Sequence, residues 1–180
     1  MTSLPGRAGA VDVMTSRDGG AAEFEKDLGP VLGEAVRLAT GMLLNAVEAE
    51  DAVQEACVRA WRHRANRRAG TDLHPWFLGI VANQCRETLR SRWARVLRLS
   101  SIATSNPVAS RDPASILDLR RALSRLAYRR RLVLVLRYYL DLSFEEVAAA
   151  AGCSVDAAKA LERRGTADLA RALSMSEAND

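Results

Sequence analysis

The side chains with the plainest chemical purpose lie between Ser143 and Gly165, in SFEEVAAAAGCSVDAAKALERRG, where Ser154, Asp156, Ala157, Lys159, Ala160, Arg163 and Arg164 follow at helical spacing. Lys159 and Arg163 stand one turn apart on one face, a placement that suits phosphate oxygens and the acceptor edges of bases. A second set runs along HPWFLGIVANQCRETLRSRWARVLR, whose polar side carries Asn83, Arg86, Arg90, Arg92, Arg95 and Arg98, with Trp76 and Trp93 nearby. Arginines in a stripe beside aromatics suit nucleic-acid backbone and bases, or form a solvated basic face. A third set, Asp51, Gln54, Glu55 and Val58, lies off the apolar face of its helix; it is open to a partner, and its acids also compensate the helix dipole. Catalysis is not indicated. His63 and His74 fall on a helix end and in a loop, no carboxylate pair keeps a fixed spacing with a nucleophile, and no Gly-rich phosphate loop follows a strand.

Helices must position these groups. Ser143 caps a short helix, Glu146 completes a capping box, Gly152 ends the Ala-rich run and Ser154 caps the next helix, which continues through Leu169 and Leu173. Two capped helices across a Gly turn suit a helix-turn-helix, whose second helix reads bases in the major groove, and equally describe an ordinary helical hairpin in a bundle; the cations on the second helix favour the first. Its apolar seam is Phe144, Val147, Ala148, Ala151, Val155, Ala158 and Leu161. Upstream, Ile116, Leu119, Ala122, Leu123 and Leu126 mark one helix, and YRRRLVLVLRYYLD a second with core residues Leu132, Val133, Val135, Leu136 and Tyr139. In the other half, apolar residues from Phe24 to Leu43 recur at helical spacing, with Gly29-Pro30 restarting or kinking the run. Asn45 then caps a helix whose apolar face is Val47, Val53, Ala56, Cys57, Ala60 and Trp61. After the loop ANRRAGTDLH, Pro75 opens the arginine-rich helix, which buries Trp76, Phe77, Ile80, Val81, Leu89 and Trp93.

The pattern predicts an all-α chain of two small helical domains, an N-terminal helical bundle and a C-terminal helix-turn-helix domain, joined by a flexible linker. The expected segments are a disordered arm at 1–21, a first domain at 22–98, a linker at 99–114 holding Pro107 and Pro113, a second domain at 115–175, and a disordered tail at 176–180. Met14 is an alternative start. The chain has 180 residues, 48% hydrophobic, with a formal charge of +4, and Lys26 and Lys159 are its only lysines. Positive charge carried by arginine favours phosphate forks, base edges and interface ion pairs. Cys57, Cys85 and Cys153 are odd in number and far apart, which suggests neither a disulfide framework nor a zinc site. No cofactor or metal is expected, no run is apolar and long enough to span a bilayer, and the expected compartment is the cytoplasm.

Taken together, AEDAVQEACVRAW at Ala49–Trp61, HPWFLGIVAN at His74–Asn83 with its arginine-rich continuation, a Pro/Ser linker, and LSRLAYRRRLVLVLRYYLDLSFEEVAAAAGCSVDAAKALERRG resemble the extracytoplasmic-function sigma factors of bacterial RNA polymerase. The resemblance covers about Glu23 to Leu173 and rests on the combination of motifs. It implies a factor that binds core polymerase and directs it to promoters through −10 and −35 elements. The Asp51, Gln54, Glu55, Val58 face then resembles the surface that docks on the largest subunit, and Leu132, Leu136 and Tyr139 resemble part of the contact with the flap of the second-largest subunit. Arg64, Arg67 and Arg68 in the loop, with Asn83, Arg86, Glu87 and Arg90, resemble the −10 surface. Ser154 to Arg164 resembles the −35 reader. Promoter DNA and core polymerase are the implied partners, with an anti-sigma factor as a further one.

The sequence departs from the family at two places. The recognition helix lacks the usual Gly-Thr-Val-Lys-Ser run, and Asp156 either accepts from a cytosine amino group or favours its helix's first turn. In the other half, Ala82 stands where a basic residue is common, and Gly79 weakens the same local pattern. A DNA-binding regulator acting without polymerase needs only the C-terminal half and leaves the acidic face and arginine stripe unexplained.

Overall fold

The computed structural model describes residues 11–67, 70–99 and 114–177, with side chains for 20–67, 70–94 and 116–175. The linker at 100–113, the ends at 1–10 and 178–180, and Arg68 lie outside the described residues. All seven described helices fit the all-α expectation.

α1, Val11–Leu43, begins well ahead of the boundary expected at 22 and runs unbroken through Pro30. Gly29 and Pro30 are exposed, so the carbonyl that Pro30 leaves without its helical donor faces water and the helix survives. α2, Ala46–His63, starts at Asn45, whose side chain accepts from the Glu48 N–H at 3.1 Å, and a 3₁₀ turn at Arg64–Asn66 closes it. α3, Leu73–Leu99, is capped by Asp72, whose Oδ1 accepts from the His74 N–H at 3.0 Å; Pro75 therefore sits inside the first turn, where an N–H has no intrahelical partner anyway. α4, Ala114–Arg125, and α5, Tyr128–Leu134, follow, and α5 widens into a π-helical turn at Val135–Tyr139. α6, Phe144–Ala151, and α7, Val155–Glu177, complete the fold.

α1, α2 and α3 pack on one another, α7 packs on α4, α5 and α6, and these groups meet mainly where α3 lies against α6 and α1 against the π-helical turn. The apolar core is consequently a single cluster from Leu28 to Ala158 that runs through both groups of helices. Three residues expected inside are outside. Tyr139 is 54% exposed because the i→i+5 turn rotates the chain away from the 3.6-residue register that aligns it with Leu132 and Leu136. Trp93 is 68% exposed on the far part of α3, at the rim of a cleft, and Val47 is 70% exposed ahead of the first buried α2 position, Ala49.

Cys85 is fully buried, and burial pushes its thiol up to about 12, whereas Cys57 and Cys153 are half-buried. A thiol so placed reacts only when its surroundings open. Mass-resolved labelling with a small maleimide at neutral pH should modify Cys57 and Cys153 in the native protein and Cys85 only in denaturant; labelling of all three at one rate would contradict the described core.

Candidate nucleic-acid and partner interfaces

The recognition unit is built by its caps. Ser143 Oγ accepts from the Glu146 N–H at 3.2 Å while the Glu146 carboxylate accepts from the Ser143 N–H at 2.8 Å, so two orphan amides of α6 are satisfied reciprocally. Those hydrogen bonds hold the Glu146 carboxyl below the usual carboxylate range. Gly152 takes the left-handed conformation, φ 61°, that ends α6, and Ser154 Oγ then accepts from the Ala157 N–H at 3.2 Å to start α7. Ala158 is fully buried behind the turn, and Gly165 lets α5 approach, since a Cβ there would meet Leu134 at 3.2 Å. α7 thus presents Asp156, Lys159, Arg163 and Arg164 to solvent, with Ala157 and Ala160 half-buried between them. Lys159 Nζ lies 5.7 Å from the Phe144 ring, and Arg164 Nε donates to the Ala160 carbonyl at 3.0 Å.

The arginine stripe has two parts. Arg64 stacks 3.3 Å over Trp61 and donates to its carbonyl, and Arg67 lies 6.0 Å from the Trp76 ring. Arg86 and Arg90 instead line a cleft of about 720 Å³ with Arg92, Arg131, Trp93 and Tyr128. Asn83 is exposed. Glu87 is exposed and accepts two hydrogen bonds from Arg59, 3.0 and 2.6 Å, which lower its pKa and link α2 to α3. Arg95 and Arg98 lie beyond the described side chains.

On α2, Asp51, Gln54, Glu55 and Val58 are exposed, with Glu55 3.7 Å from Arg59. The fourth expected surface is divided between core and solvent. Leu132 and Leu136, 4% and 0% exposed, belong to the core and offer no face to a partner in this arrangement; of the three residues only Tyr139 is reachable. The sequence reading also missed Arg131, which is 7% exposed and donates to the carbonyls of Met42 at 2.8 Å and Ser124 at 2.7 Å. Its place in an arginine run gives no sign of burial.

Comparison with known proteins bears on both groups of helices. Residues 29–95 match the family model for sigma-70 region 2, and residues 116–169 match that for sigma-70 region 4. The chain is 31% identical over 153 residues to RNA polymerase sigma factor CarQ of Myxococcus xanthus, covering 83% of this chain and 88% of that one. It is 30% identical over 160 residues to the RNA polymerase sigma-E factor of Streptomyces avermitilis, covering 84% and 85%. Among solved structures, the sigma factor RpoE in complex with the anti-sigma factor NepR from Bartonella quintana shares the fold, with a TM-score of 0.67 at 24% identity over 84% of this chain and 97% of that one. CnrH, solved with the cytosolic domain of CnrY, gives 0.60 at 23% identity over 86% and 87%.

The caps separate two α7 residues that the sequence alone leaves entangled. Ser154 makes the capping hydrogen bond, and Asp156 makes none among the described residues. Ser154→Ala should cost about 1 kcal/mol of stability in urea unfolding, and Asp156→Ala only about 0.5 kcal/mol through the dipole. A larger loss for Asp156→Ala would return the capping role to it.

Proposed function

This chain belongs to the extracytoplasmic-function sigma factors of the sigma-70 family, and from that premise we propose a division of labour among its surfaces. It binds core RNA polymerase and directs it to specific promoters for transcription initiation, a non-catalytic role. The exposed Asp51, Gln54, Glu55, Val58 face of α2 docks on the largest polymerase subunit. Arg64, Arg67 and Arg68, with Asn83, Arg86 and Arg90, meet the −10 region. There, base extrusion assists opening at a cost of a few kcal/mol, and arginine cations neutralise phosphate. On α7, Lys159 and Arg163 approach the −35 element, one at a base edge and the other at phosphate, while Arg164, turned back toward the Ala160 carbonyl, stays with the backbone. Tyr139 is the reachable part of the flap contact, and Leu132 and Leu136 join it once the core around them opens. An anti-sigma factor is the third proposed partner, of the kind solved with RpoE of Bartonella quintana. The site of action is the cytoplasm; no described helix is long and apolar enough to cross a membrane.

The observation that carries this reading is the row of α7 cations held in solvent by two successive caps, in a chain whose other half exposes an acidic helix face. Interfaces of this kind concentrate their affinity in a few central residues, while charge sets orientation and association rate. Gln54→Ala combined with Glu55→Arg should weaken binding to core polymerase by about 30-fold, the equivalent of a 2 kcal/mol hot spot, with helix content unchanged. Holoenzyme formation at wild-type affinity would remove the α2 face from the polymerase contact.

A further inference from the structure

The cleft of about 720 Å³ beside Trp93 lies between the second half of α3, the end of α1 and the start of α5. Small-molecule sites have volumes of about 300–1,000 Å³ and combine an apolar lining with a few converging polar groups. Here the converging groups are four arginines, Arg86, Arg90, Arg92 and Arg131, and no carboxylate lines the cleft among the described residues. Arg92 is already paired with Glu48, at 3.1 Å. Arg86 and Arg90 are exposed and make no hydrogen bond among the described residues. Arg131 is the most enclosed of the four, 7% exposed, and it lacks a counter-ion among the described residues: its terminal nitrogens donate to the Met42 and Ser124 carbonyls, and its buried Nε–H has no partner. Burial and the nearby Arg92 both disfavour its charge, which an anion in the cleft would favour. The carbonyl ends of α1 and α4 border the cleft and by themselves repel an anion. They are covered, however, since Arg131 takes the Met42 and Ser124 carbonyls and Arg120 donates to the Leu44 carbonyl at 2.7 Å.

The cleft also offers flat apolar surface. Trp93 is 68% exposed at its rim, the Tyr128 ring faces Arg86 at 6.0 Å, and leucines from α1, α3 and the α4–α5 turn complete the lining. An exposed indole is a stacking platform for a base, and guanidinium forks match phosphate oxygens. We infer that this cleft binds a nucleoside diphosphate or triphosphate, whose phosphates lie among Arg86, Arg90 and Arg131 and whose base stacks on Trp93. A lining drawn from three elements around so small a volume suits one nucleotide rather than a duplex. Arg86 and Arg90 also belong to the surface proposed above for the −10 region, but Arg131, Tyr128 and Trp93 do not. The nucleotide site therefore rests on the cleft alone, and it stands or falls independently of the promoter contacts.

The test uses the full chain and ADP as the probe. Isothermal titration calorimetry should show saturable binding of ADP to the wild type, about tenfold tighter than inorganic pyrophosphate, which lacks the ring, and adenosine, which lacks the charge, should not bind. Trp93→Ala should weaken ADP about tenfold and leave pyrophosphate unchanged. Arg90→Ala should weaken both by about tenfold, whereas Arg62→Ala, which removes the same charge from the last turn of α2, should weaken neither. All three substituted side chains are exposed, so the variants keep the fold, and circular dichroism verifies it. ADP should also quench tryptophan fluorescence in the wild type and lose that effect in Trp93→Ala. No saturable binding up to about 1 mM ADP, or equal weakening by Arg62→Ala and Arg90→Ala, overturns the site. Pyrophosphate binding as tightly as ADP reduces the cleft to a trap for charge, and tetrathymidylate binding at the same residues more tightly than ADP makes it part of the DNA surface; either result overturns the nucleotide assignment.

Discussion

The Arg131 guanidinium is the one charged group enclosed among the described core residues, and the placement of the C-terminal helices depends on it. Among the described residues no carboxylate pairs with it and its Nε finds no partner; its hydrogen bonds go to the last turns of α1 and α4. Burial, with Arg92 adding repulsion, pulls its pKa below the ordinary arginine range. Burying an ion without a counter-ion costs several kcal/mol, and two carbonyls at negative helix ends offset part of this because their dipoles point at the cation. The same side chain thus fixes where α1 stops, where α4 stops and how α5 lies between them.

From α5 the geometry passes to α7, the helix proposed to face DNA. α7 lies along α5 at Gly165, where Leu134 and the Arg130 stem take the space of a side chain, and the Arg130–Asp168 ion pair and the Tyr138–Glu162 hydrogen bond set its rotation. That rotation puts Ala158 inward and Lys159 and Arg163 outward. The double cap at Ser143 and Ser154 sets where the helix begins, and therefore which of its residues can enter a groove. The base reading proposed for α7 is in this sense a consequence of how α5 is seated on α1.

The helix boundaries around the recognition turn were legible because caps are local: Ser143, Glu146, Gly152 and Ser154 act within four residues of one another. The exposed faces of α2 and α7 were legible too, since helical period separates apolar from charged sides. Period alone could not show that Val135 widens the helix into a π turn and swings Tyr139 to the surface. Nor could it show that Leu132 and Leu136 are shared with a distant helix, or that Glu87 is held by Arg59 28 residues away. Those facts depend on which faces meet, and α3 meets α6 through Gly79 and Ala82, residues that carry almost no pattern signal of their own.

On the proposed division of labour, one chain brings polymerase to promoters by reading two separate DNA elements with two separate helices. Run-off transcription with purified core polymerase and this chain, from a library randomised across the upstream promoter, tests it most directly. Selected templates should carry two enriched motifs at a fixed separation, of which only the upstream one changes when Lys159→Ala replaces the wild type. No chain-dependent transcript, or a single motif indifferent to Lys159, would contradict it.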